Sequence, residues 1–144
     1  MRAVVQRVKE ASVTVDQKIV GSIKQGYLVY LGIHVDDTED KAIKLAQKIH
    51  TLRVFEDQEG KMNLSLEQVS GSILAISQFT LYGDTKGNNR PSFITAARPE
   101  KAEPLYALFC STLKPYHQVE KGVFGADMNV SSVNDGPVTI IIEI

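Results

Sequence analysis

The segment at residues 27–33 (YLVYLGI) constrains the fold more than any other part of the chain. It is apolar at nearly every position, so a strand formed by it must be covered on both faces. A bilayer-spanning helix needs roughly 20 apolar residues, so this run is too short to cross a membrane. The segment therefore predicts a central strand in a sheet that is packed on both sides.

Periodicity predicts the elements around this strand. Two segments have helical spacing: residues 38–52, with Thr38 as a candidate N-cap, and residues 99–114, which open on Pro99. Strands are predicted over residues 2–15, 18–23, 52–55, 73–81, 117–123, 128–133 and 138–144, with a turn at 134–137 before the last. The order of two strands, two strand–helix units and three strands predicts a mixed α/β, β-rich layered fold, and 144 residues predict one domain, 1–144.

Charge and cysteine content limit the classes of function. The chain has 16 Lys and Arg against 17 Asp and Glu, which excludes a general basic field but permits a local patch for a polynucleotide. Cys110 is the only cysteine, so neither a disulfide within the chain nor a cysteine zinc site is expected. The amino-terminal segment has no apolar leader, and we expect a cytoplasmic protein.

The common catalytic motifs are missing. The sequence has no G-x-S-x-G elbow, H-E-x-x-H, P-loop or G-x-G-x-x-G. His34, His50 and His117 lack metal-ligand spacing, so we expect no metal site. Cys110 lies on an apolar helix, where a free cysteine usually acts as a small hydrophobe, so we expect no Cys110–His nucleophile pair. An enzyme with this sequence would work without a conventional triad.

Polar residues cluster where the predicted strand 73–81 leaves the core. Strand alternation would put Ser77 and Phe79 on one face and Gln78 and Thr80 on the other. The end of a strand beside a glycine-rich loop is a common ligand position in α/β sheets. Local hydrogen bonding at a strand end explains the same residues, and spacing alone favours that simpler interpretation.

The sequence NDGPV at residues 134–138 is typical of a turn between two strands. Only about 5–6% of X-Pro bonds in folded proteins are cis, so the isomer of the Gly136–Pro137 bond is left open by local chemistry. Taken alone, this segment is interpreted as structural.

Together, SQFTLY at 77–82 and NDGPVT at 134–139 resemble the signature pair of the D-aminoacyl-tRNA deacylases. The likeness extends along nearly the whole chain, including MRAVVQR at 1–7, LRVFED at 52–57, RPSF at 90–93 and FGADM at 124–128. The resemblance implies a homodimer that uses no metal or other cofactor. It further implies hydrolysis of the ester between a D-amino acid and the terminal adenosine of tRNA, and removal of glycine mischarged on alanine tRNA.

The resemblance also implies roles for particular residues. Ser77, Gln78, Phe79 and Thr80 would line the pocket for the adenosine and the ester. A cis Gly136–Pro137 unit would enter the pocket of the partner subunit and reject L-aminoacyl groups by a steric clash. A D side chain would point out of the pocket, and glycine has no side chain to exclude.

Two mechanisms and two other functions stay open at this point. Thr80 could act as a nucleophile, or the ribose 2'-hydroxyl of the substrate could assist attack; the lack of a base beside Thr80 favours the substrate. Lys86 and Arg90 could contact the tRNA backbone, in a window that nets +2 with Asp84, Arg98, Glu100 and Lys101. The alternative functions are a non-catalytic module that binds RNA ends and a general esterase.

Overall fold

The computed structural model describes all 144 residues, 1–144. Eight strands and two α-helices follow one another as β1 (Arg2–Val15), β2 (Lys18–Ile23), β3 (Gly26–Gly32), α1 (Glu39–His50), β4 (Arg53–Glu56), β5 (Met62–Ser65), β6 (Ser72–Ser77), α2 (Pro99–Leu113), β7 (Val119–Lys121) and β8 (Asn129–Glu143). A short 3₁₀ helix, Phe79–Tyr82, follows β6. The predicted mixed α/β, β-rich class is confirmed.

The long strand β1 organises the main sheet. Val4 pairs with Tyr30 of β3 and with Ile141 of β8, whereas Val13 pairs with Gly21 of β2 and Val130 of β8. A strand has two edges, so β8 occupies one edge of β1 along its length, and β3 and then β2 share the other. The sheet consequently curls toward a barrel.

Parallel pairing in the middle of the sheet brings the carboxyl ends of neighbouring strands to one edge. β3 pairs in parallel with β6, and β6 in parallel with β7. The carboxyl ends of β3 and β6 therefore lie at the same edge, where Leu31 pairs with Ser77. Ligand sites of open α/β sheets occur at this edge.

Apolar side chains pack on both faces of the sheet, as the segment at residues 27–33 predicts. On one face, α1 and α2 cover a large cluster that includes Tyr27, Leu45 and Phe109, all fully buried. On the other face, the curl of the sheet encloses a smaller cluster that includes Leu28 and Leu74. Neither helix has the length and apolar character that a membrane span requires.

The predicted turn at residues 134–137 is wrong, because β8 is one strand with a bulge. Both of its halves pair with β1, and the register shifts where Val8 pairs with Asn134 and Gln6 with Thr139. The Asn134 amide donates to Thr139 Oγ1 at 3.2 Å and spans the bulge. Turn-forming residues are also the residues that bulges use, so the local sequence did not distinguish the two.

The predicted strand 73–81 is correct only as far as Ser77. Its neighbour β3 ends at Gly32, and the last pairing bond runs from Gln78 N–H to Leu31 O at 2.8 Å. Beyond that point the backbone turns into the 3₁₀ helix, so the predicted alternation of Gln78, Phe79 and Thr80 across a strand is wrong. The β4–β5 hairpin was not predicted, and β7 is shorter than the predicted strand 117–123. Thr38 is the N-cap of α1, as predicted, but its side chain forms no capping hydrogen bond.

Candidate active site

A cleft of about 860 Å³ opens at the carboxyl ends of β3 and β6. Fourteen of its 20 lining residues are hydrophobic. The end of β3, the start of α2 and the segment 124–130 supply the walls, and the polypeptide that leaves β6 supplies the polar groups. The cleft has the mainly apolar lining with few polar groups that is typical of small-ligand sites.

Three of the four residues predicted from the first signature line this cleft: Ser77, Gln78 and Phe79. Thr80 is exposed and lies one residue further along the 3₁₀ helix, outside the cleft wall. The Gln78 side-chain amide donates to Thr80 Oγ1. Phe79 and Thr80 open the 3₁₀ helix, and the first N–H groups of a helix have no partner within it.

Arg2 fastens the 3₁₀ helix to β1. Its Nη1 donates to Leu81 O at 2.6 Å, its guanidinium carbon lies 4.9 Å from the centre of the Tyr82 ring, and its Nη2 donates to Glu143 at 2.9 Å. Burial, reinforced by nearby carboxylates, raises the pKa of Tyr82 to about 12, so its ring is a neutral packing surface at physiological pH. Sequence analysis missed Arg2, because nothing in the local pattern indicates that it reaches Leu81.

The second signature forms an exposed corner at the β8 bulge. Gly136 and Pro137 are both exposed, and the peptide bond between them is cis, the isomer that the resemblance implies. Gly136 has φ +121°, and a Cβ at this position would lie 2.9 Å from the Val138 nitrogen and 3.2 Å from Arg7 Nη2. Glycine is required here for its backbone angle and for space.

Arg7 holds this corner from β1. Its side chain is only 5% exposed; Nη1 donates to Val54 O at 2.6 Å and Nε lies 3.2 Å from Asp135 Oδ2. Glu56 is a more distant ionic neighbour at 3.9 Å. Sequence analysis missed Arg7 as well, although an arginine within an apolar strand is a signal that a buried charge has a partner.

The chain does not bring its two signatures together. Arg7, beside the corner, pairs with Tyr27 near the start of β3, whereas the cleft begins at Leu31. Four residues of strand separate these positions, or about 13 Å. Neither Gly136 nor Pro137 lines the cleft of its own chain.

The predicted cationic residues lie in the loop after the 3₁₀ helix. Lys86 and Arg90 are exposed and form no ion pair, and neither lines the cleft. The ends of the loop are joined by two backbone hydrogen bonds of 2.8 Å between Asp84 and Ser92. These two cations are therefore not part of the cleft lining.

The remaining nucleophilic and basic groups lie away from the cleft. Burial raises the pKa of Cys110 to about 11, so its thiol stays protonated at physiological pH. His50 Nδ1 and His117 Nε2 are 2.9 Å apart near the end of α1, and neither residue lines the cleft. The cleft walls therefore contain no nucleophile–base pair of the serine or cysteine hydrolase kind.

The fold and the cleft define a small mixed α/β protein with a ligand site at the ends of parallel strands. The family model described as "D-Tyr-tRNA(Tyr) deacylase" matches residues 4–143, and the chain belongs to this family. A D-aminoacyl-tRNA deacylase of Thermus aquaticus is 57% identical over 144 residues, which span 99% of this chain and 95% of that protein.

Two solved structures share the fold. The structure named "c-Myc DNA Unwinding Element Binding Protein" has a TM-score of 0.94 and 43% identity, with 100% of this chain and 99% of that chain covered. A probable eukaryotic D-amino acid tRNA deacylase has a TM-score of 0.85 at 20% identity, with 99% and 98% covered, and this likeness concerns the fold alone.

Proposed function

We propose that this protein is a chiral proofreading hydrolase, which cleaves D-amino acids, and glycine mischarged on alanine tRNA, from the terminal adenosine of tRNA. Hydrolysis of the D-aminoacyl-tRNA ester follows from family membership and from the 57% identity to a D-aminoacyl-tRNA deacylase. The observation that supports the proposed site and mechanism is that Ser77, Gln78 and Phe79 all line one mainly apolar cleft.

The cleft receives the terminal adenosine and the ester. Its volume of about 860 Å³ is within the range of small-ligand sites. The ester carbonyl lies against the start of the 3₁₀ helix, where the N–H groups of Phe79 and Thr80 donate to the oxygen as it becomes an oxyanion. Such preorganised donors stabilise the transition state more than the ground state.

Water attacks the ester, and the 2'-hydroxyl of the substrate, rather than Thr80, assists this attack. A threonine nucleophile needs a base to take its proton. The side-chain partner of Thr80 Oγ1 is the Gln78 amide, which cannot act as that base. Positioning and oxyanion stabilisation are sufficient for an aminoacyl ester that is already labile.

These two mechanisms give opposite results for one protein variant and one altered substrate. We expect Thr80→Ala to keep kcat within about tenfold of the wild type, and a 2'-deoxyadenosine ester to react at least about 10²-fold more slowly, the usual size of a lost proton-transfer catalyst. Single-turnover hydrolysis measures both. An inactive Thr80→Ala protein that is folded by circular dichroism, together with normal cleavage of the deoxy ester, would restore Thr80 as the nucleophile.

The filter against L-aminoacyl groups comes from a second copy of the chain. Gly136 and Pro137 form an exposed corner that does not reach the cleft of its own chain. In a homodimer, their carbonyl oxygens occupy the space that an L side chain would need, so the enzyme rejects L rather than selecting D. A 10³-fold discrimination requires about 4 kcal/mol, which demands a firmly held corner, and the buried Arg7 provides that support.

The direct test compares D-tyrosyl-tRNA with L-tyrosyl-tRNA as substrates of the wild-type protein. We expect rapid release of D-tyrosine, little release of L-tyrosine, and a dimer mass in sedimentation. Binding without cleavage would favour the module that binds RNA ends, and equal cleavage of simple esters would favour a general esterase. A monomer that still discriminates between D and L would overturn the role of the second copy.

The proposal includes a contact with the tRNA backbone outside the cleft. Lys86 and Arg90 contact phosphates of the acceptor stem; their exposure and the absence of an ion pair at either residue support this role. Each phosphate contact of this kind makes binding weaker as salt increases.

A further inference from the structure

A ledge formed by Phe93 and Ile94 borders the mouth of the cleft. Ile94 is 86% exposed, and the Phe93 ring meets the Phe79 ring edge to face with centroids 5.1 Å apart. Val35, also exposed, lies along the same wall. Single apolar residues on a surface are ordinary, but four neighbours that continue a ligand cleft form a patch of the kind that binds a partner.

The backbone of the ledge is held at both ends. Ser92, just before it, exchanges two hydrogen bonds of 2.8 Å with Asp84, and Thr95, just after it, accepts a bond from Val35 N–H at 3.0 Å. The Ile94 side chain is thus presented to solvent from a fixed backbone. Because this backbone is already ordered, less conformational entropy is lost when a group binds to the ledge.

The charges around the ledge favour an anionic partner. Arg98 lines the cleft at the N-cap of α2, and Arg90 lies two residues before Ser92; neither forms an ion pair. Asp127, the acidic residue in the cleft lining, comes from a different segment, residues 124–130. We therefore expect a phosphate to be attracted to the part of the cleft that Arg98 and the ledge line.

Resting on the proposed function, we propose that the ledge binds the base of the nucleotide that precedes the terminal adenosine, with Arg98 at the phosphate between the two nucleotides. Apolar and aromatic surfaces beside cations are how proteins hold unpaired nucleotides, and the base rests on the ledge by its flat face. Any base has such a face, so the ledge contributes affinity without reading the sequence.

The test uses two esters that differ by one nucleotide: D-tyrosyl-adenosine, and D-tyrosyl-adenosine extended at its 5' side by cytidylate. For the wild type, we expect kcat/KM to be about tenfold higher for the extended ester, a typical gain for one stacked base. Ile94→Ala and Arg98→Gln should each bring this ratio close to one, and Ile94→Trp should raise it. The matched control is Ile19→Ala, which removes another exposed isoleucine, 67% exposed on β2.

Three outcomes would contradict the proposed role of the ledge. The first is a wild-type kcat/KM that is equal for the two esters, and the second is an equal reduction in rate on both esters in Ile94→Ala. The third is a change in sedimentation mass in Ile94→Asp, which would mean that a second copy covers the surface. A wild type that cleaves neither ester nor D-tyrosyl-tRNA would contradict the proposed function instead. Because Ile94 is largely exposed, its variants are expected to fold.

Discussion

Two arginines of β1 hold the two signatures in different ways. Arg2, at the start of the strand, is one-third exposed, pairs with an exposed carboxylate and fastens the 3₁₀ helix through a carbonyl. Arg7, further along the same strand, is almost fully buried and forms an ion pair with Asp135, the residue before Gly136 and Pro137. Under the proposed function, the cleft admits a substrate and tolerates a solvent-screened contact, whereas rejection of L-aminoacyl groups by a clash requires a corner that is firmly held. Substitutions at each signature should therefore affect different properties of the enzyme.

The largest effect is expected from Gly136→Ala. The added Cβ would lie 2.9 Å from the Val138 nitrogen, and the backbone angle of φ +121° is one that alanine rarely adopts. Strain of about 1–3 kcal/mol will move the corner, so the preference for D- over L-tyrosyl-tRNA should fall at least about tenfold. Rates on both substrates, measured side by side, give the ratio.

Gly60→Ala is the matched control for that substitution. Gly60 also has a positive φ, +74°, but no atom lies within 4 Å of its added Cβ. It should lower stability by a similar backbone cost and leave the D/L ratio unchanged. If both variants reduced the ratio equally, general loosening rather than the corner would account for the selectivity.

Arginine-to-lysine changes at these two positions of β1 should give different results. Arg7→Lys removes a buried guanidinium fork, which should cost about 3 kcal/mol in the free energy of unfolding and lower the D/L ratio. Arg2→Lys should cost about 1 kcal/mol or less and reduce kcat/KM for D and L substrates alike. Urea denaturation and paired kinetics separate the two.

The same result from both variants would contradict the comparison. If Arg2→Lys changed the D/L ratio as much as Arg7→Lys, the two arginines would not act independently. The conclusion that each arginine serves one signature would then be wrong.

Charge removal in the loop should affect binding but not selectivity. The double variant Lys86→Gln, Arg90→Gln should reduce the slope of log Kd against log salt by about one for each phosphate that the protein no longer neutralises. The pair Lys18→Gln, Lys24→Gln, at the start of β2 and just after its end, should leave the slope unchanged. Equal slopes for the wild type and the loop variant would remove these two cations from the tRNA-binding surface.

The smallest effect concerns pH and lies outside both signatures. Burial, and then the neighbouring His50, lower the pKa of His117 below its ordinary value of 6.5. In the unfolded chain, the His117 pKa returns to its ordinary value, so as the pH falls the unfolded state binds a proton before the folded state does. The contribution of neutral His117 to stability is therefore full above about pH 6.5 and decreases below it. We expect the Tm to decrease between pH 7 and pH 5.5, less so in His117→Gln, with the D/L ratio constant. A Tm that falls equally in both proteins would exclude His117.

Local periodicity was sufficient to predict β1, β2, β3, α1 and α2, because each buries one regular face or a continuous apolar run. It failed at residues 78–82, where the neighbouring strand ends and no local signal marks that point. It failed again at residues 134–137, where the same residue types serve turns and bulges. The roles of Arg2 and Arg7 depend on partners 79 and 47 residues away in sequence, at Leu81 and Val54, so only the folded chain shows them.

The continuous β8 strand has a consequence for how relatives of this protein can diverge. Insertion of one residue before the bulge would turn every later side chain to the opposite face of the sheet and carry the corner out of reach of Arg7. The loop at residues 83–91 has no such constraint, since its ends are closed by their own backbone pair. Length differences between orthologues should therefore accumulate in that loop, while the spacing from Asn129 to Glu143 stays fixed over evolutionary time.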